Sequence, residues 1–279
     1  MVVVNASDPI PAVVESDATG DIKNIFDDIK NVTGVDVVNL VWRHLATTQN
    51  ALPYLWGVLR PLYESGLINH QAVEFQSQLV LPNLPKFKDE ILFASGIDNL
   101  GKLTINNILV SYNRTNTVNL IALQAALITL KGVKDVTLDQ THKKTTNDSL
   151  LPMPRLPAIS DLNPTIISLV QELNSLGEED GTIIASMYRH LAYWPNYLAL
   201  VKIALEPIAS SGELKRAIDK SREQSAEKAL SLSKFLAPFP PSISSACFYE
   251  IKRVLELFTR HPLSKMVVIC GMLMEALEN

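Results

Sequence analysis

The stretch Trp42–Ala46, with the sequence Trp-Arg-His-Leu-Ala, returns 146 positions later at Tyr188–Ala192 as Tyr-Arg-His-Leu-Ala. At the same offset several identical residues correspond: Leu52 and Leu198, Leu59 and Leu205, Pro61 and Pro207, and Ser65-Gly66 and Ser211-Gly212. An offset that holds over this length indicates a tandem duplication. We therefore predict an all-α fold of two tandem helical repeats that form an intramolecular pseudo-dimer.

Apolar residues at helical spacing and prolines divide the chain into three parts. Apolar residues recur at i, i+3, i+4 and i+7 from Ile22 onward, which predicts helices rather than strands. The first helical repeat is assigned to residues 1–130 and the second to residues 164–279. Between them, residues 131–163 are polar at first and then rich in proline, which is typical of a stiff linker.

Composition excludes several classes of partner. The chain has 279 residues, of which 47% are hydrophobic and 19% charged, and its net charge is −4. This balance predicts neither nucleic-acid nor membrane binding, and no apolar run reaches the roughly 18 to 20 residues of a membrane span. The cysteines, Cys247 and Cys270, lie far apart, which favours a reducing, cytoplasmic location. Metal-ligand spacings and glycine-rich phosphate loops are absent, so we predict no metal and no cofactor.

The two Arg-His pairs are the first candidates for chemistry. Arg43 and Arg189 can each bind a substrate carboxylate through two parallel hydrogen bonds. His44 and His190 can then act as a general base. The alternative is structural: because adjacent residues point about 100° apart on a helix, each arginine can brace a helix end while its neighbour packs elsewhere. Both interpretations remain open at this point.

A polar segment, Asn113–Thr117, is the second candidate. It separates two apolar segments that we predict to be helices, so it is expected to be a turn. Its counterpart in the second repeat contains His261-Pro262, so the repeats have diverged here. That divergence predicts a single asymmetric site built from two similar halves.

Several short motifs together resemble one family. They are Ala18–Ile22, Arg43-x-Leu45-Ala46-Thr47, Pro82–Pro85, Tyr112-Asn113-x-x-Asn116, Leu150–Pro152 and Leu191-Ala192-x-Trp194-Pro195. Over nearly its whole length the chain is similar to the group I 2-haloacid dehalogenases, as a divergent member. The resemblance implies an all-helical pseudo-dimer with its site between the repeats, and pairing as a homodimer.

The resemblance also implies a reaction and residues for it. The dehalogenases hydrolyse 2-haloacids with neither a metal nor a covalent intermediate, using a water that an aspartate activates and an asparagine holds. The asparagine corresponds to Asn116, whereas the aspartate corresponds to Met187, which cannot take a proton from water. Two aromatic pocket positions correspond to Val37 and Leu40, which predicts an aliphatic pocket.

These observations lead to two hypotheses. In the first, the chain is a cofactor-independent hydrolase acting on a small organic acid or a more apolar molecule, with Asn116, His44 and His190 as catalytic residues. The predicted substrate-binding residues are Arg43, Arg189, Val37, Leu40, Met187 and Tyr188. In the second, the chain is a non-catalytic relative that binds an apolar ligand or serves as a scaffold.

Overall fold

The computed structural model describes residues 10–130, 152–178, 183–240 and 242–277. Within these ranges the chain is helical and contains no strand, which confirms the predicted all-α class. The helices are α1 (Gly20–Thr33), α2 (Leu40–Leu45), α3 (Ala51–Glu64), α4 (Leu67–Gln78), α5 (Asp89–Ala94), α6 (Asn99–Leu130), α7 (Pro164–Ser175), α8 (Ser186–Leu191), α9 (Pro195–Ser210), α10 (Glu213–Ser233), α11 (Ser245–Phe258) and α12 (Ser264–Leu277). None of them is both long and apolar enough to cross a membrane.

Helix boundaries recur at the 146-residue offset. Helices α2 and α8 match at both ends, and α4 and α10 begin at corresponding residues. Gly66 and Gly212, which precede α4 and α10, have φ angles of 75° and 77°. Glycine adopts this left-handed conformation without a steric penalty, so it allows the chain to turn between two helices. The shared order supports the duplication, while the pseudo-twofold arrangement of the halves stays a prediction.

The predicted turn at Asn113–Thr117 is wrong, because α6 runs without a break from Asn99 to Leu130. The hydroxyl of Thr115 donates to the carbonyl of Ser111 at 2.9 Å, and the hydroxyl of Thr117 donates to the carbonyl of Asn113 at 2.7 Å. Threonines that bond to the preceding turn are accommodated inside a helix rather than ending it. The polar segment therefore lies in the middle of a buried helix.

The matching segment of the second repeat is interrupted. Between α11 and α12 the chain forms one π-helical turn, Thr259–Leu263, which contains Pro262. Proline has no N–H to donate and its ring crowds the preceding turn, so a regular α-helix is disfavoured here. Helices α11 and α12 thus correspond to the single helix α6, with a local widening at Pro262.

The apolar core consists of two clusters, and each draws on both halves of the sequence. The first joins α1–α4 and the second part of α6 to residues of α10 and α11, such as Ala229 and Val254. The second joins the first part of α6, including Ile105 and Leu109, to α7–α9 and α12. Helix α6 therefore crosses from one cluster to the other. The division at residues 130 and 164 stays a prediction about the sequence, and residues 131–151 of the linker lie outside the described residues.

Candidate functional site

A cavity of about 40 Å³ lies where α2, α6, α8 and the π-helical turn meet. Both halves of the chain line it, with the residues Val37, Val38, Asn39, Leu40, Ser111, Tyr112, Thr115, Asn116, Met153, Ile183, Ala185, Ser186, Met187, Phe258, Pro262, Leu263 and Met266. A cavity of this size has room for a few waters or for one molecule of a few non-hydrogen atoms. Two larger hollows, of about 380 and 370 Å³, lie beside α5 and the first turns of α6 and contain none of the predicted site residues.

Corresponding positions of the two halves lie on the cavity wall, but their chemistry differs. Leu40 corresponds to Ser186, Tyr112 to Phe258, and Asn116 to Pro262. Most of the polar wall residues come from the first half: Asn39, Ser111, Tyr112, Thr115 and Asn116. The cavity therefore has one polar side and one side that is almost entirely apolar.

Asn116 is buried, with 3% of its surface exposed, and it lies on the polar side of the cavity. The amide nitrogen of Asn39 donates to Oδ1 of Asn116 at 3.0 Å, while Oδ1 of Asn39 accepts from the backbone N–H of Val41 at the start of α2. Within the described ranges, Nδ2 of Asn116 and Oγ of Ser186 have no hydrogen-bond partner. An unsatisfied buried donor costs about 1–3 kcal/mol, so these two atoms are the natural partners of a bound molecule or water.

His190 connects Tyr112 to the segment that precedes α7. Its Nδ1 lies 2.7 Å from the hydroxyl oxygen of Tyr112, and its Nε2 lies 3.0 Å from the carbonyl oxygen of Pro154. Burial, together with the positive charges of Arg189 and Arg43, lowers the pKa of His190 to about 4. At neutral pH the ring is uncharged and both of its nitrogens are engaged, and His190 is not part of the cavity wall.

His44 occupies the corresponding place in the first half. Its Nδ1 lies 2.6 Å from the carbonyl oxygen of Pro11, and its ring packs on Phe258 with centroids 5.8 Å apart. Burial lowers the pKa of this imidazole as well. His44 also lies outside the wall, so neither histidine is placed to take a proton from a molecule in the cavity.

The two arginines bind backbone carbonyl groups. Nε of Arg43 donates to the carbonyl oxygen of Val38 at 3.1 Å, and Arg189 donates to the carbonyl oxygen of Pro157 through Nε at 3.0 Å and Nη2 at 2.6 Å. Both side chains are buried and neither lines the cavity. These contacts favour the structural alternative for the Arg-His pairs, in which the arginines hold extended segments against α2 and α8.

Of the predicted pocket residues, Val37, Leu40 and Met187 do line the cavity, together with Asn116. Tyr188 does not: it is fully buried, and burial raises the pKa of its hydroxyl. Sequence reasoning did not assign these further wall residues: Val38, Asn39, Ser111, Tyr112, Thr115, Met153, Ile183, Ala185, Ser186, Phe258, Pro262, Leu263 and Met266. The 146-residue offset could have identified two of these wall residues, because Ile183 and Ser186 are the counterparts of Val37 and Leu40.

Metal-binding chemistry has no candidate in the part of the chain that the structure describes. No group of three or more His, Cys, Asp or Glu side chains is arranged there to hold an ion. The two cysteines, Cys247 and Cys270, are buried free thiols. What the wall offers to a ligand is an apolar surface with a few hydrogen-bonding groups.

Comparison with known proteins identifies the fold. No family model matches the chain, and no curated protein matches it significantly. Among solved structures, it is similar to a D-2-haloacid dehalogenase mutant in complex with D-2-CPA, with a TM-score of 0.77 and 18% identity over 99% of this chain and 96% of that one. A second D-2-haloacid dehalogenase mutant gives a TM-score of 0.79 at 16% identity, over 99% and 96% of the two chains. A complex of the dehalogenase with L-LA gives 0.76 at 18%, over 99% and 97%. The predicted resemblance is confirmed in the fold: this chain has the helical fold of the D-2-haloacid dehalogenases over nearly its whole length.

Proposed function

We propose that this chain binds a small, uncharged, mainly apolar molecule in the cavity between its two halves and does not hydrolyse 2-haloacids. The main observation in support of this proposal is the position of Met187. This residue is fully buried and lies in the cavity wall. The resemblance to the dehalogenases assigns this position to the water-activating aspartate. A thioether sulfur binds apolar groups well and cannot remove a proton from water.

The chemistry of the wall supports an uncharged ligand. All the described wall residues are apolar or neutral. A carboxylate moved from water into such a site loses its hydration, which costs several kcal/mol unless a cation pairs with it. No described wall residue supplies a cation, and the guanidinium groups of Arg43 and Arg189, outside the wall, donate to backbone carbonyls. Among the ligands predicted from the sequence, an apolar molecule is therefore favoured over the anion of a small organic acid. Its polar end would lie on Asn116 and Ser186, whose amide nitrogen and hydroxyl lack partners within the described ranges.

The same fold holds small molecules in other proteins. One of the similar structures is a dehalogenase complex with D-2-CPA, and another is a complex with L-LA. These complexes support a small-molecule site in this chain without specifying what it binds. Assembly as a homodimer and a cytoplasmic location, which follow from the sequence and the resemblance, remain part of the proposal.

Ligand binding can be measured through the methionine side chains. Met153, Met187 and Met266 line the cavity, whereas Met272 and Met274 do not. In protein labelled with ¹³C at the methionine methyl groups, titration with butanone is expected to shift the first three signals and leave the other two unchanged. Equal shifts at all five, or no shift at any, would contradict binding in the cavity.

Two serine variants separate binding from stability. Ser186→Ala removes a buried cavity hydroxyl that has no described partner, so we expect weaker butanone binding and a free energy of unfolding no lower than that of the wild type. Ser221→Ala is the matched control. The Ser221 hydroxyl is buried outside the cavity and donates to the carbonyl of Ile218 at 2.8 Å, so its loss should cost about 1 kcal/mol and leave binding unchanged.

Hydrolysis is tested by halide release from D- and L-2-chloropropionate between pH 6 and 10. We expect none from the wild type. Release that His190→Gln or His44→Gln abolishes would restore the hydrolase hypothesis with a histidine base. Halide release by Met187→Asp alone would mean that the rest of the cavity still accommodates the reaction.

A further inference from the structure

The hydrogen bonds between Pro154, His190 and Tyr112 have only one consistent direction. A carbonyl oxygen can only accept, so Nε2 of His190, at 3.0 Å from the oxygen of Pro154, must carry the ring proton. A neutral imidazole has one N–H, so Nδ1 is an acceptor. The hydroxyl of Tyr112, 2.7 Å away, must therefore donate to Nδ1.

This direction determines what Tyr112 can offer to a ligand. Its single hydroxyl proton is used by His190, so the oxygen is left with acceptor capacity alone. Asn116, four residues later on the same face of α6, has the opposite character, because its Oδ1 receives the Asn39 amide and its Nδ2 has no described partner. Side chains at i and i+4 on a helix have Cβ atoms about 5–6 Å apart. The residue that carries the acceptor and the residue that carries the donor are thus one helical turn apart in the same wall.

We propose that Tyr112 is a specificity-determining residue of the cavity, which selects molecules that carry a carbonyl oxygen and an N–H or O–H on the same carbon. The carbonyl oxygen accepts from Nδ2 of Asn116, and the N–H or O–H donates to the hydroxyl oxygen of Tyr112. Small carboxamides and un-ionised carboxylic acids carry both groups on one carbon. This inference rests on the proposed function, since it specifies the ligand class of the same cavity.

Two related ligand types are disfavoured for separate reasons. A ketone supplies the acceptor but leaves the oxygen of Tyr112 without a partner. A carboxylate supplies two acceptors, so one of its oxygens meets the oxygen lone pairs of Tyr112. The expected order of affinity is therefore propionamide, then butanone, then propionate.

The comparison uses the methionine-methyl titration with these three compounds. One neutral hydrogen bond contributes about 1 kcal/mol, so propionamide should bind about five-fold more tightly than butanone. Tyr112→Phe should reduce this ratio to about one. Tyr197→Phe is the control, because Tyr197 is also fully buried but lies outside the cavity and its hydroxyl has no described partner; the ratio should stay about five-fold.

A second measurement tests the bond direction without any ligand. The ¹⁵N chemical shifts of the His190 ring distinguish a protonated nitrogen from an acceptor nitrogen. The inference requires protonation at Nε2 alone in the wild type at neutral pH, and protonation at Nδ1 would overturn it. An unchanged affinity ratio in folded Tyr112→Phe would also overturn it while leaving cavity binding intact. Methyl signals that respond to none of the three compounds would instead reject the proposed function, and this inference with it.

Discussion

Phe258 packs against His44 with their ring centroids 5.8 Å apart, and Tyr112 packs against His190 in the same way, with centroids 5.6 Å apart. At the 146-residue offset Tyr112 corresponds to Phe258 and His190 corresponds to His44. Each contact joins the two halves of the chain, because one partner precedes residue 130 and the other follows residue 164. Only the Tyr112 pair has a hydroxyl to bond the imidazole. The two contacts lie at corresponding positions and differ in the tyrosine hydroxyl and in the ring nitrogen that faces a backbone carbonyl, which is Nε2 in His190 and Nδ1 in His44.

This difference leads to the first prediction. Nε2 of His44 is buried and has no described partner, while its Nδ1 lies 2.6 Å from the carbonyl oxygen of Pro11. Phe258→Tyr adds the hydroxyl that the corresponding pair already has, so we expect the free energy of unfolding to rise by about 1 kcal/mol. Urea denaturation of the variant and the wild type measures this difference in the free energy of unfolding.

Phe75→Tyr is the control for this substitution. Phe75 is fully buried in the same core cluster, and no described aromatic or imidazole ring contact involves it. A new hydroxyl there should destabilise by about 1–3 kcal/mol. Equal losses in both variants would mean that the two ring contacts are not equivalent.

The second prediction concerns the pH dependence of stability. In the unfolded chain His190 has a pKa of about 6.5, and in the folded protein burial lowers it to about 4. Between these values the unfolded state binds more protons, so stability is complete above about pH 6.5 and declines as the pH falls toward 4. For this single group the loss in the free energy of unfolding is on the order of 3 kcal/mol.

Variants isolate the contribution of His190 from that of other groups. Burial raises the pKa of Glu178, which acts with the opposite sign, so the unfolding curve of the wild type alone is not decisive. The difference in unfolding free energy between pH 7 and pH 4.5 should be clearly smaller in His190→Gln than in the wild type. A His190→Gln profile that follows the wild type would contradict the lowered pKa.

The third prediction concerns the loss of stability when an acidic side chain replaces Met187 in the cavity wall. A carboxylate at position 187 is buried, so Met187→Asp should destabilise the protein at neutral pH by about 3 kcal/mol. The partnerless amide nitrogen of Asn116 and hydroxyl of Ser186, together with water in the cavity, can solvate part of this charge. Met272→Asp, at an equally buried position outside the cavity, should therefore cost more. Urea denaturation of both variants provides the measurement, and equal costs would argue against a solvated cavity at Met187.

Periodicity and the repeated motif predicted the helical class and most helix positions, because both depend on local spacing. The predicted turn at Asn113–Thr117 failed for a physical reason. A polar run between apolar segments is typical of an exposed turn, but here the hydroxyl of Thr117 bonds to the preceding turn and also accepts from Gln76 of α4. Sequence spacing cannot reveal a partner that comes from another helix.

The site was predicted in part. Val37, Leu40, Met187 and Asn116 were identified through the resemblance and do line the cavity. The Arg-His motif was the most visible feature of the sequence, yet its side chains hold the backbone of extended segments rather than line the cavity. A repeated motif marks what both halves need in order to fold, whereas an asymmetric cavity depends on positions where the halves differ, such as Tyr112 and Phe258.

The fourth prediction concerns a buried ion-pair cluster beside the π-helical turn. The ammonium group of Lys265, which is 1% exposed, lies 3.2 Å from Oε2 of Glu178 and donates to the carbonyl oxygen of Asn174 at 2.6 Å. Nη2 of Arg222 donates to Oε1 of the same glutamate at 2.8 Å. Lys265 follows Leu263 by two residues, so the cluster holds the turn that forms one side of the cavity.

Removing one member of this cluster should therefore be costly. Lys265→Met leaves the Glu178 carboxylate buried with one cation fewer, and we expect a loss of about 3–5 kcal/mol in the free energy of unfolding. The double variant Glu178→Gln/Lys265→Met removes both charges and should recover a large part of that loss. Lys202→Met is the control, because Lys202 pairs with Glu172 at the surface, where an ion pair contributes at most about 1 kcal/mol. If Lys265→Met costs no more than Lys202→Met, the cluster does not stabilise the turn, and the cavity wall is held by apolar packing alone.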